Sequence, residues 1–368
     1  MSEAIVFESR ACFSALGGLD HTVTSLIDGA GGIRNGPSFG VDVGCAPFAD
    51  PALRDLGLCA SRLGAGIDAT TLAGRRLLFV YCAAKGDLRG LDQLADGSHT
   101  DDSPSALLDV QAEVVRCALG IEPLRTSVIS NACASGAIAL GLAAELLSYG
   151  AYDRAVVFGY DSLSRFVTTG FHALGALSPS VARPFDADRD GLTLGEGAAV
   201  GVLARREPQP GDIVLAGAAS SNDANHRTGP SRTGEGLYRA AAAALRDAGV
   251  APDTVGGVKC HGTATVYNDA MEAKALTTLF GSKYPPCVSL KGALGHTSGG
   301  GSLLETLLAA EFLKRRTLPP TAGFRQLGVD EPLPVSTAPQ PLRDPSVLCL
   351  SAGFGGVNAA LLLREEAA

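Results

Sequence analysis

The chain has 368 residues, 46% of them apolar and 18% charged, a balance that supports a large core built as two packed halves. Its net charge of −8 argues against nucleic acid as a general partner, because phosphate binding needs a basic footprint. The nine scattered cysteines form no CxxC pair, the start MSEAIVFESRACFSAL lacks a secretory pattern, and no apolar run is long enough to span a bilayer, so a soluble, cytoplasmic protein with reduced thiols is expected.

Short apolar runs alternate with Ala/Leu-rich segments along the chain. RRLLFVYCAA (75–84) reads as a buried strand, and the polar stretch Gly90–Pro104 as a loop. SALLDVQAEVVRCALG (105–120) has a helical period and stops at Gly120. TSVIS (126–130) is a second strand, and ASGAIALGLAAELLSYG (134–150) a second helix ending at Gly150. RAVVFGY (154–160) and AAVGVLAR (198–205) are further buried strands. The charged, Pro-containing RREPQPGD (205–212) marks a boundary between halves 1–207 and 208–368. Past it, IVLAGAAS (213–220) and GGVKCH (256–261) read as strands, and GLYRAAAAALRDAG (236–249) and SLLETLLAAEFLKRR (302–316) as helices. VLCLSAGFGGVNAALLLRE (347–365) reads as two strands joined by a Gly-rich turn. The order predicts an α/β fold with sheets covered by helices.

Cys133 lies where a strand, a turn of small residues and a long apolar helix follow directly on one another. Such an elbow puts the side chain at a helix N-terminus, where the dipole and free N–H groups favour a thiolate. An isolated cysteine is more often a buried structural residue. Two histidines strengthen the chemical reading. His261 stands in KCHGTATVYND and His296 in KGALGHTSGGG, each beside the Gly and hydroxyl residues expected where backbone approaches a ligand. A metal site is disfavoured, since no short-range ligand pair exists.

NACASG, HGTAT followed by Asp269 and Glu272, KGALGH and the terminal GFGGVN stand in one order along the chain. Together with RPFDADRDGLTLGEGAA (183–199) and SNDANHRTGP (221–230), they resemble the elongating β-ketoacyl-acyl-carrier-protein synthases, from about Ala4 to Leu363. The resemblance implies a thiolase-like fold: two similar halves, two central sheets and α-β-α-β-α layers. It implies a dimer paired along TSVIS, either a homodimer or a heterodimer with a related ketosynthase subunit. It also implies an acyl carrier protein as partner, and no cofactor beyond the carrier's own phosphopantetheine. The reaction implied is decarboxylative condensation of a Cys-bound acyl group with a malonyl carrier in fatty acid or polyketide-type synthesis.

By position, Cys133 matches the family nucleophile, and His261 and His296 its catalytic histidines. Lys291 matches the family lysine, and Phe354 a gatekeeping phenylalanine. Thr263 and Thr265 match threonines that bind the phosphopantetheine arm, while His226 and Thr228 border the substrate entrance. Asp269 and Glu272 match supporting acids. Taken alone, Lys291 reads as a surface charge, Asp269 and Glu272 as helix N-terminal carboxylates, Phe354 as core, and Glu196 as a buried structural acid.

The expected chemistry has three parts. The Cys133 thiolate attacks without a strong base. The backbone N–H groups of Cys133 and Phe354 hold the tetrahedral oxyanion. The two neutral imidazoles hold the enolate, with Lys291 and Glu272 orienting them. The chain departs from the family in being shorter before Cys133, in carrying Ala352 where the FGFGG motif has an aromatic, and in placing Cys260 before His261. Two other readings are a chain-length-factor-like subunit, which would lack the nucleophile, and a coenzyme A thiolase, which would use a second reactive Cys.

Overall fold

The computed structural model describes residues 3–86, 88, 92, 96–97 and 107–367. The loop expected over Gly90–Pro104 lies outside these residues except at 92, 96 and 97.

Among the described residues, ten strands form the path of the main sheet. The first half holds β1 (Ala4–Ser14), β2 (Leu77–Cys82), β3 (Arg125–Ile129), β4 (Arg154–Asp161) and β5 (Gly197–Arg206). The second holds β6 (Ile213–Asn222), β7 (Gly257–Lys259), β8 (Cys287–Val288), β9 (Ser346–Gly353) and β10 (Val357–Glu365). Their spatial order is β3-β2-β4-β5-β1 in one half and β8-β7-β9-β10-β6 in the other. Each strand of the second half thus repeats the strand five places earlier. The pairing repeats as well: the first three strands in each order are parallel and the remaining pairs antiparallel. Even the irregularity repeats, with a register shift between Phe7 and Ser9 in β1 and between Leu215 and Gly217 in β6.

The two central sheets expected are joined at their edges rather than independent. Val6 of β1 pairs with Val214 of β6, so the two five-stranded units run into one continuous sheet. The physical reason is that both are edge strands of their halves, and they meet. Pairing satisfies edge groups that would otherwise stay open.

Among the described residues, eight helices of more than two turns pack around the sheet: α1 (Leu19–Ile27), α2 (Leu56–Gly64), α3 (Leu108–Leu119), α4 (Ser135–Ser148), α5 (Arg165–Ala173), α6 (Glu235–Asp247), α7 (Val266–Phe280) and α8 (Gly301–Lys314). α4 and α8 lie between the halves, so both are apolar on nearly every face. α2 and α3 cover the outside of the first half, and α6 and α7 the outside of the second. The layers are therefore α-β-α-β-α. β2 shows why its sequence is continuously apolar: Leu78, Val80 and Cys82 enter the central core, while Leu77, Phe79 and Tyr81 enter the outer one. α4 and α8 touch at Gly136, where an added Cβ would fall 2.3 Å from the Leu303 backbone nitrogen. α3 ends on Gly120 with φ 64°, as its sequence predicts.

Candidate active site

The internal repeat brings two equivalent loops together. One leaves β3 and enters α4 through Cys133; the other leaves β8 and enters α8 through Lys291 and His296. The helix starts abut, with the Gly136 N–H donating to the Gly299 carbonyl at 3.1 Å and the Ala137 N–H to Ser302 Oγ at 3.0 Å. Cys133 occupies a single 3-10 turn, Ala132–Ala134, directly before α4. Ala132 takes a φ of 48°, an uncommon value for a residue with a Cβ. Ser135 holds the turn: its Oγ accepts from the Asn131 N–H at 2.8 Å and donates to the Ala132 carbonyl at 2.6 Å.

His261 follows β7 and His296 follows β8. Their rings stand edge to face, 5.6 Å apart at 85°. His296 Nδ1 accepts from the Ser298 N–H at 3.1 Å, so the neutral ring carries its proton on Nε2. Cys133 and both histidines line one cavity of about 400 Å³. Thr263, Thr265, His226, Thr228 and Phe354 line the same cavity. The Thr263 and Thr265 hydroxyls lie 2.9 Å apart, and His226 Nδ1 accepts from the N–H groups of Thr228 and Gly229. Phe354 is 38% exposed rather than core, and it stacks on Phe171 with ring centres 5.7 Å apart. Its backbone N–H reaches the Cys133 sulfur.

The supporting acids hold backbone rather than rings. Glu272 accepts from the His261 and Gly262 N–H groups at 2.6 and 2.7 Å. Asp269 accepts from the Thr263 and Phe185 N–H groups at 3.0 and 2.7 Å. Lys291 is buried, not a surface charge; its Nζ donates to the His261 carbonyl at 2.8 Å and to Glu305 at 2.7 Å. Thus Glu272 and Lys291 position His261 through its main chain. Glu196 is a structural acid that accepts from the Phe48 and Leu163 N–H groups and pairs with Arg54.

Two buried residues at this centre escape sequence reasoning. Glu305 sits on α8, and Lys259 on β7 donates to its second oxygen at 2.8 Å. The signal was present in each case: a carboxylate inside a helix apolar on all sides, and a lysine inside a buried strand next to His261. A charge at such a position needs a partner.

The electrostatics decide which forms are present. Burial, then the Lys291 charge, holds His296 down at about 3. Burial and Lys291 likewise keep His261 well below its ordinary value. Both imidazoles are therefore neutral near pH 7. Burial works against the expected thiolate and pushes the half-buried Cys133 thiol up to about 12, while Lys291 and the Phe354 N–H pull it down. The helix start alone does not overcome the loss of water. The neutral imidazoles share its cavity and can take the thiol proton. Such a site can form a covalent thioester and stabilise an oxyanion or enolate. Among the described residues, no group of three His, Cys, Asp or Glu is gathered to hold a metal, and no helix is long and apolar enough to cross a membrane.

Residues 50–209 match the family model described as Beta-ketoacyl synthase, N-terminal domain, and residues 213–325 match Beta-ketoacyl synthase, C-terminal domain. The chain is 32% identical over 302 residues to a 3-oxoacyl-[acyl-carrier-protein] synthase 2 of Rhizobium meliloti, covering 75% of this chain and 72% of that protein. Its structure resembles a β-ketoacyl synthase from Burkholderia phymatum, with a TM-score of 0.87 at 27% identity over 99% of this chain and 100% of the other. It also resembles a ketosynthase from Xenorhabdus doucetiae solved in complex with its chain length factor, with a TM-score of 0.86 at 29% identity over 99% and 98% of the two chains.

Proposed function

The chain belongs to the β-ketoacyl synthase family, and we propose that it condenses an acyl group held on Cys133 with a malonyl unit carried by acyl carrier protein. The observation that carries this reading is the convergence of Cys133, His261 and His296 on one cavity.

In the first step an acyl carrier thioester meets the Cys133 thiol. A neutral imidazole of the pair takes the thiol proton as the sulfur attacks, and the carrier thiol leaves with a proton. The N–H groups of Cys133 and Phe354 hold the transient oxyanion. A malonyl carrier then enters. Carbon dioxide leaves, and the negative charge moves onto the thioester oxygen. His296 donates Nε2–H to that oxygen, and the neutral His261 ring supplies a second donor. The enolate carbon attacks the Cys133 thioester, forming the β-ketoacyl carrier and expelling the Cys133 thiolate, which takes up a proton from water to restore the thiol. Thr263 and Thr265 serve the phosphopantetheine arm, and His226 and Thr228 border its path. Asp269 and Glu272 shape the loop that carries these groups. No metal or organic cofactor is needed by these steps.

The partners proposed are acyl carrier protein and a second ketosynthase-type subunit, identical or related. The nine free cysteines support a reducing, cytoplasmic setting. A chain-length-factor role is disfavoured by the presence of Cys133. The coenzyme A thiolase reading lacks a second thiol at the cavity, since Cys349 lies buried on β9 and is not among the cavity-lining residues described. The test is incubation with acyl and malonyl carrier proteins. Mass spectrometry should show a β-ketoacyl carrier; none across a panel of acyl lengths would overturn the proposal, and equal turnover with coenzyme A esters would favour the thiolase.

A further inference from the structure

Lys259 takes no part in the steps above, yet it is fully buried. Its Nζ donates to Glu305 Oε2 at 2.8 Å and to the Leu350 carbonyl at 2.7 Å. Glu305 Oε1 accepts from Lys291 Nζ at 2.7 Å. One carboxylate therefore serves two ammonium groups, all sealed from water, and the cluster carries one surplus positive charge. A charge in such a setting is weakly screened and acts over several ångströms. The cluster also ties together the separate segments of the site. Lys259 stands two residues before His261, Glu305 lies on the helix after His296, and Leu350 lies on the strand that leads to Phe354.

We propose that Lys259 is a positioning residue: by occupying one oxygen of Glu305 it leaves Lys291 only half neutralised, and so sets the positive charge that Cys133, His261 and His296 face. This rests on the roles given to those three residues above. Other charges and thiols bear on the same centre. Glu272 and Asp269 face it from α7, Asp161 from β4 with Lys85 paired to it, and Cys349 from β9. None of these supplies a second partner for Glu305. The direction of the histidine shifts agrees: after burial and Lys291, Lys259 also holds both imidazoles in the neutral form. Without Lys259, Glu305 would neutralise Lys291 and the surplus charge would vanish.

The test uses the purified full chain and needs no substrate. Iodoacetamide alkylation of Cys133 is followed by peptide mass spectrometry from pH 7 to 9 in the wild type, Lys259→Met and Lys259→Arg. At each pH the rate should fall about three- to tenfold in Lys259→Met, since one unit of pKa changes the thiolate fraction tenfold. Lys259→Arg keeps the charge and should recover the wild-type rate. A purely structural role predicts the opposite sign, because a loosened site uncovers the sulfur and speeds alkylation. Unchanged or faster alkylation in a Lys259→Met protein with a cooperative thermal melt overturns the proposal. If that variant does not fold, Lys259→Gln, which keeps a donor without charge, must show the same slowing. A chain that shows this charge effect but makes no β-ketoacyl product would sink the functional reading alone.

Discussion

The Nδ1 of His296 accepts a hydrogen bond from the Ser298 N–H at 3.1 Å. Ser298 reaches this position at a φ of 47°, an uncommon backbone state, so the turn is shaped around the ring. The consequence is a fixed tautomer with Nε2–H as the free donor. The ring is therefore set to stabilise a developing anion.

The first expected outcome follows from that donor. His296→Ala should slow release of carbon dioxide from a malonyl carrier by about a hundredfold or more, the usual cost of losing an oxyanion donor. His261→Ala should act in the same direction. Acylation of Cys133 should fall less in His296→Ala, because the backbone donors remain. Steady carbon dioxide assays on both variants check this; normal release from both would contradict it.

The two buried glutamates should give opposite pH signatures. Glu305 is held at about 2: burial opposes ionisation, but the Lys259 and Lys291 charges outweigh it. Because its folded value is depressed, its stabilisation is present above pH 4.5 and is lost as pH falls from there toward 2. Glu272 is raised to about 7 by burial, against the two N–H groups it accepts. It keeps a proton in the fold that the unfolded chain has lost, so its share of stability declines as pH rises from 4.5 through 7. Glu272→Gln should therefore gain melting temperature relative to wild type between pH 5 and pH 8. A difference that stays flat with pH would refute this.

The contact between α4 and α8 is a third target. At Gly136 an added Cβ would meet the Leu303 backbone nitrogen at 2.3 Å and its Cβ at 2.7 Å. Backbone cannot yield as a flexible side chain does. Gly136→Ala should destabilise the fold by about 1–3 kcal/mol, as overpacking does. A thermal melt decides it. An unchanged melting temperature would mean that the two helices do not pack this tightly.

How much was legible in the sequence depended on whether a residue's signal was local. Cys133, His261 and His296 stand in small-residue turns beside strands and helices, and those turns are visible in the chain itself. The strands β2, β4, β5, β9 and β10 are apolar on both faces because helices cover both, so their runs are unbroken. β1 was missed because Glu8 and Arg10 interrupt AIVFESRACFS; in the fold Arg10 pairs with Glu311 on α8, 301 residues away. Asp269 and Glu272 read as helix N-terminal carboxylates, but the extent of α7 and the loop those acids hold become visible only in the fold. Lys259 and Glu305 needed three-dimensional proximity to be paired. The thiol state also depended on burial around Cys133, which no local pattern reports.

The most direct test separates the two halves of the reaction in one variant. Cys133→Ala removes the sulfur but leaves His261, His296 and their supports in place. Carbon dioxide release from a malonyl carrier and covalent acylation, read by intact-protein mass spectrometry, are followed side by side. The mechanism predicts that acylation and condensation vanish while decarboxylation persists, and that Cys133→Gln, whose amide stands in for the bound thioester, decarboxylates at least as fast. Retained acylation or condensation in Cys133→Ala, or loss of decarboxylation from a folded variant, would contradict it.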